Sequence, residues 1–200
     1  MIRNKFLFYF LSLTWGCIMT AIGTIVALAL LVTRHKPKKW GYCWYFEVGK
    51  SNWGGMELGP FFLCNKNPSE RIKNHEHGHA HQNCILGPLT PFIVCIPSAV
   101  RYWVREFKDK KSKIFFASCV CGALALVGAV LMMISIYVGL WMFVLGIAIV
   151  VYVMIIQTWL LHTEIPKYDE GYVEYDAVWF EKNATDTGFK FIEWHNKQTS

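Results

Sequence analysis

A chain of 200 residues is long enough for one domain with a substantial core. With 54% hydrophobic, 16% aromatic and only 17% charged residues, it is too apolar for an ordinary soluble protein. The net charge of +6 invites a nucleic-acid partner, but its placement excludes one: the basic residues crowd beside apolar runs, in Arg34-His35-Lys36-Pro37-Lys38-Lys39 and Arg101–Lys113, and the region after Leu161 is acidic on balance. Lys and Arg in such positions face the anionic surface of a lipid bilayer.

From Phe6 to Val32 no charged side chain occurs, which is enough for one transmembrane helix. Arg3 and Lys5 precede it, as they would in a secretory leader, but the apolar part exceeds a leader's core of about 7–15 residues. Residues 1–33 therefore read as a retained N-terminal anchor, with a cleaved leader as the alternative. Trp40 to Val48, "WGYCWYFEV", suits a strand. "GKSNWGG" carries turn chemistry, and "MELGPFFLC" reads as a second strand in which Gly59-Pro60 forces a bend or an edge position. Together they predict a β-hairpin.

Asn67-Pro68-Ser69-Glu70 has the marks of a helix start, with Asn67 as cap, Pro68 at the first helical position and Glu70 as the acid of a capping box. The helix is expected from Pro68 to about Leu86, where Gly87-Pro88 ends it. Cys84 to Val100 is apolar but short and holds Pro88, Pro91 and Pro97, so it predicts a re-entrant or interfacial segment rather than a span. From Ile114 to Leu161 there is again no charge. As one helix this run would extend roughly 70 Å, over twice a bilayer core, so it must fold back, with the turn near Ser135 to Gly139. In the last region Glu174, Ala177, Val178 and Glu181 have helical spacing, Gly188 is placed to stop the helix, and the final residues read as a polar tail. The divisions are 1–33, 34–113, 114–161 and 162–200.

Chemistry concentrates in Asn74–Gln82, "NHEHGHAHQ", which holds four of the seven histidines. No β-branched residue lies between His75 and Asn83, and the preceding "SERIKN" is helix-like. On a helix His75 and His79 differ by about 40° in direction and stand one turn apart, so both imidazoles can meet one metal ion. Glu76 then lies beside the metal, where it can take a proton from water. His77 and His81 point the other way and read as solvated residues. Ile72, His75, Glu76, His79, Gln82 and Leu86 form the stripe such a helix would turn inward, and Gly78 lets another backbone approach closely. A catalytic zinc site needs a third ligand; His162, Glu164, Asp169, Glu170, Glu174, Asp176, Glu181, Asp186 and His195 are available. Tyr172 and Tyr175 are candidate oxyanion donors. The seven cysteines are odd in number and scattered; they read as reduced, buried thiols.

The sequence resembles zinc peptidases of the gluzincin type, which combine His-Glu-x-x-His with a later helix bearing Glu, often as Glu-x-x-Ala-Asp. Glu181-x-x-Ala184 matches; Thr185 stands where Asp is usual, and Asp186 falls one residue late. A wider resemblance, to small bacterial membrane proteins of the same broad type, rests on "WGGMELGPFF" (Trp53–Phe62), "HEHGHAHQ" (His75–Gln82), "LGPL" (Leu86–Leu89), "IPS" (Ile96–Ser98) and the Glu181 segment. It implies zinc held by His75, His79 and Glu181, Glu76 as general base, and a strand near Glu57–Phe62 that could receive an extended peptide or protein substrate.

The fold class expected is thus an α-helical membrane protein with a small α+β zinc-peptidase-like region, about three transmembrane helices and a re-entrant or interfacial segment. The function expected is that of a membrane-anchored zinc metallopeptidase in a bacterial inner membrane. Its site lies at the membrane surface and, from the basic flanks, on the cytoplasmic side. A non-catalytic metal-binding or metal-transport protein and a zinc-peptidase-like scaffold are the alternatives. Nothing in the sequence sets the oligomeric state.

Overall fold

The structure, a computed structural model, describes residues 1–49, 53–168 and 174–199. Part of the expected turn (Lys50, Ser51, Asn52) and Asp169, Glu170 and Tyr172 lie outside the described residues. The chain forms two compact units, one of residues 1–95 with 175–200 and one of residues 96–174, which cut the sequence elsewhere than the four divisions expected.

In the first unit Asn4 caps helix α1 (Lys5–Leu13), accepting the Leu7 N–H at 3.0 Å. Helix α2 (Cys17–Val32) follows after a bend of 91°. The Phe6–Val32 run is therefore not one straight span. Hydropathy could not register that one side of this run packs on protein: Phe8 is fully buried, and Gly23 and Thr20 meet Leu58 and Gly59 backbone to backbone.

The aromatic region gives four strands where two were expected. They are β1 (Lys38–Trp40), β2 (Cys43–Glu47), β3 (Gly55–Leu58) and β4 (Phe61–Cys64). Each expected strand breaks at a glycine with positive φ, Gly41 at 56° and Gly59 at 73°, a conformation that glycine adopts without steric cost. The two resulting antiparallel hairpins join through a parallel β2–β4 pairing, in the order β1-β2-β4-β3. The sheet's inner face packs Cys43, Tyr45, Phe62 and Cys64 into one core with Phe8, Ala80, Cys84 and Phe191.

Helix α3 (Glu70–Leu86) is capped by Ser69, whose hydroxyl accepts the Ile72 N–H. Asn67, the expected cap, instead sits at φ 54° in the turn before it. The helix starts two residues later than the sequence implied, and Gly87 at φ 57° ends it as anticipated. Cys84–Val100 is no straight helix: Gly87–Leu89 forms a 3-10 turn, Pro91–Cys95 a π turn, and α4 (Ile96–Glu106) begins only then.

The second unit contains α4, the long helices α5 (Lys110–Val138) and α6 (Leu140–Trp159), a π turn (Leu160–Glu164) and α7 (Ile165–Lys167). Gly139, at φ 120°, separates α5 from α6 at the expected turn. The pair closes tightly because a Cβ at Gly146 would stand 2.6 Å from the Gly128 carbonyl oxygen. Two helical stretches, Lys110–Val138 and Leu140–Lys167, are long and apolar enough to cross a membrane. Near their ends Glu164 and Arg101, both fully buried, form an ion pair, with the Tyr168 hydroxyl donating to Glu164 at 2.9 Å.

Helix α8 (Trp179–Thr199) returns to the first unit. Gly188 does not stop it, and the expected polar tail is helical, with Phe191 fully buried. Gly188 is instead a contact point: a Cβ there would lie 1.7 Å from the Asn74 carbonyl oxygen, and one at Gly78 would lie 1.8 Å from that of Ala184. Helices α3 and α8 thus cross backbone on backbone. Gly78→Ala should force them apart, lowering stability by roughly 1–3 kcal/mol and reducing bound metal. Gly122→Ala, which meets open space, should do neither. Thermal melts and metal content of the two variants check this.

Candidate metal centre

The α3–α8 crossing brings three side chains of the sequence motif together. His75, His79 and Glu181 place their ligand atoms within 4.8 Å of one another. The Nε2 atoms of His75 and His79 are 3.0 Å apart, and each is 3.1 Å from Glu181 Oε2. The edge of a tetrahedron with metal–ligand bonds of about 2.0–2.1 Å is roughly 3.3 Å, so the three atoms are nearly at coordination spacing.

Hydrogen bonding fixes which nitrogen faces the site. The Thr185 hydroxyl donates to Asp176 Oδ2 at 2.9 Å, so its oxygen is left to accept from His75 Nδ1 at 2.8 Å. Gln82 donates its amide to the Phe180 carbonyl at 2.7 Å and to Asn183 Oδ1 at 3.0 Å, which turns its Oε1 toward His79 Nδ1 at 2.8 Å. Both imidazoles therefore carry a proton on Nδ1 and turn Nε2 toward Glu181, where it can bind a metal ion when unprotonated. Three converging electron pairs repel unless a proton or a metal ion lies between them. Glu181 Oε1 is also buried without a hydrogen-bond partner among the described residues. Two neutral imidazoles and a carboxylate fit a divalent metal ion.

The electrostatics agree. Burial works against the charge on Glu181, but hydrogen bonds and charge from His75 and His79 override it and hold the carboxyl well below its usual range. Burial also opposes a proton on His79, yet Glu181 lifts it to about 9. In the absence of metal the site thus holds a proton between His79 and Glu181, which a metal ion must displace.

Glu76 sits beside the ligands, nearly buried. Burial raises its pKa, partly offset by His75 and His79. Its carboxylate accepts the Glu57 backbone N–H from β3, and it fits there because Gly55 has no side chain: a Cβ would come within 2.6 Å of Glu76 Oε1. Glu57 is itself buried, which pushes its carboxyl up to about 8, with Oε1 accepting the Gly59 N–H at 2.5 Å.

His77 and His81 are not solvated. Both are fully buried on the opposite face of α3, where the sequence stripe gave no sign of a second packed surface. His77 Nε2 accepts the Tyr42 N–H at 3.1 Å and His81 Nδ1 accepts the Ile2 N–H at 3.2 Å, and Phe191 packs on both rings. Burial lowers both pKa values, His81 to about 3.

Of the other ligand candidates, Asp186 and His162 are exposed, Glu164 pairs with Arg101, and His195 stacks on Phe191. The exposed Glu174 accepts an Arg101 hydrogen bond through its backbone carbonyl. Asp176 serves indirectly through Thr185, and Arg71 holds it in turn at 3.0 Å. The ring of Tyr175 stands 5.9 Å from that of His75. Gln82 was legible as part of the inward stripe, three residues after His79. Thr185, one turn after Glu181, was read only as a missing Asp. The thiols are all reduced, but Cys17 and Cys119 are exposed rather than buried. No protein-family model, characterised protein sequence or solved structure matches the chain.

Changing His75, His79 or Glu181 to Ala should strip metal from the purified protein, whereas His77→Phe and His81→Phe should keep about one ion per chain by elemental analysis. Equal loss from both pairs would mean a diffuse histidine cluster. Thr185→Val removes the acceptor that orients His75 and should weaken metal binding about 10–100-fold in a competition with a chromogenic chelator. Thr185→Ser should restore it.

Proposed function

We propose that the protein is a membrane-anchored zinc metallopeptidase that hydrolyses a peptide bond in a membrane-proximal peptide or protein. The observation that carries this reading is the placement of Glu76. It lies next to three convergent ligand atoms and under a strand whose outer edge can take a substrate. A protein that only stored metal would need His75, His79 and Glu181 but no buried carboxylate beside them.

When bound, zinc would supply a Lewis acid that polarises the scissile carbonyl and makes water more acidic. His75, His79 and Glu181 hold it, and Thr185 and Gln82 keep the two rings aimed. Glu76 accepts the proton of the attacking water and delivers it to the leaving amine. Its raised pKa suits both halves of that transfer. Strand β3 is the outermost strand of the sheet. With the hairpin closed at Leu58 and Phe61, Gly55 and Glu57 direct their backbone groups away from β4; the Glu57 N–H is held by Glu76, so an extended peptide adding here would pair with the remaining groups and end beside that carboxylate.

Helices α5 and α6 support membrane anchoring, and the basic stretches beside the apolar runs favour a cytoplasmic site. A metal path through the Ile114–Leu161 hairpin is poorly served, because its polar side chains are Ser118, Ser135, Gln157 and Thr158, with tyrosines and cysteines besides.

Glu76→Gln keeps the size and hydrogen-bonding reach of the side chain and removes the base. Zinc content should stay at the wild-type level while peptide hydrolysis by the reconstituted protein falls by about 10²–10⁴-fold. Unchanged hydrolysis excludes Glu76 as the base. If wild-type and variant are equally inactive with zinc bound, the scaffold reading is correct.

A further inference from the structure

The two histidines of the metal centre are oriented by different chemistry. His79 is held by a neutral amide: Gln82, itself buried, accepts from Nδ1 and directs its own N–H groups to Phe180 and Asn183 on α8. His75 is held by a hydroxyl, and from there the bonds run on. Thr185 donates to Asp176 Oδ2 at 2.9 Å, and the same oxygen accepts from Arg71 Nη2 at 3.0 Å. Arg71 stands four residues before His75, on the same side of α3, and its side chain is 67% exposed. One carboxylate thus links a ligand position to the protein surface.

Stability alone gives this carboxylate little purpose, because an ion pair with so exposed an arginine contributes little. Its delivery is nevertheless well defined. Asp176 is the middle residue of a single 3-10 turn, Tyr175–Ala177. Tyr175 before it sets its ring edge-on to that of His75, and Val178 after it is buried. A hydroxyl beside an imidazole can donate or accept, so Thr185 by itself would leave the His75 proton free to sit on either nitrogen. A carboxylate only accepts. It takes the Thr185 proton and leaves the oxygen lone pairs to His75 Nδ1–H. Through the hydroxyl its negative charge also polarises the ring, which makes Nε2 a stronger donor to a cation.

We infer that Asp176 is a positioning residue for the metal, acting on His75 through Thr185, and that it acts by its charge rather than by its ion pair with Arg71. This rests on the reading of His75, His79 and Glu181 as a metal centre and is independent of whether a peptide is cleaved. Because the partner of His79 is a neutral amide, the hold on the ion responds to charge at the His75 side, the more exposed of the two rings.

The test is zinc affinity of the purified full-length protein in competition with a chromogenic chelator. Asp176→Asn keeps the shape of the side chain and removes the charge, and affinity should fall about 10-fold. In a Thr185→Val background, where the relay is already cut, the same change should alter affinity by less than about twofold. Arg71→Met removes the ion pair and leaves the relay, so affinity should stay within about threefold of wild type. The visible absorption bands of the cobalt(II)-loaded protein should move in Asp176→Asn and stay in place in Arg71→Met. Asp176→Glu, which returns the charge, should bind zinc more tightly than Asp176→Asn, and it keeps the comparison open if the Asn variant folds poorly in thermal melts. Equal losses in Arg71→Met and Asp176→Asn, additive losses in the Thr185→Val background, or no gain from Glu over Asn each overturn the proposal. Wild-type protein that takes up no zinc overturns the metal centre and the relay with it. Wild-type uptake with unchanged affinity in Asp176→Asn overturns the relay alone.

Discussion

The whole of the first unit depends on how closely helices α3 and α8 approach. Gly78 against Ala184 and Gly188 against Asn74 let two backbones touch, and any Cβ at either glycine would separate the helices. Glu181 has a short side chain and can share atoms with His75 and His79 only at this range. The same approach brings Thr185 to His75 and Phe180 and Asn183 to Gln82. One steric condition therefore sets the ligands and the groups that orient them.

The alternating histidines follow from α3 having two packed faces. His75 and His79 form one pair four residues apart, facing α8's carboxylate. His77 and His81 form a second pair, offset by two residues and so roughly 200° around the helix. That pair meets Phe8, Tyr42 and Phe191 and holds the backbone of Ile2 and Tyr42. The tract that resembles a metal sponge is two structural devices interleaved on one helix: one can hold a metal ion, and the other fastens the N-terminal segment and the β1–β2 turn.

What could be read from sequence was whatever local chemistry decides. The helical spacing of His75 and His79, the reason for Gly78, the end of α3 at Gly87 and the fold-back at Gly139 all depend on near neighbours. Glu181 was picked out by its Glu-x-x-Ala surroundings, and the structure brings it to the histidines. What escaped depends on partners distant in the chain. Phe8 looked like one more lipid-facing residue because hydropathy cannot tell lipid from a protein core. His77 and His81 looked solvated because their aromatic neighbours come from residues 8, 42 and 191. Gly188 resembled a helix stop because its partner, Asn74, is over a hundred residues away. Gly41 and Gly59 were visible as turn formers, but the parallel β2–β4 pairing that turns two hairpins into one sheet leaves no local mark.

The neutral state of His77 and His81 makes the fold sensitive to acid. Both are held below their ordinary pKa by burial, so the unfolded chain binds protons more readily than the folded one. Their contribution to stability is intact above about pH 6.5 and drains away as the pH falls below it, for His81 toward about 3. A proton on either ring must also break its acceptor bond to Tyr42 or Ile2, because a charged imidazole has no lone pair to offer. Acidification would thus unfasten the N-terminal segment from the back of the same helix whose front face carries His75 and His79, tying the order of the helix that holds the candidate ligands to the surrounding pH.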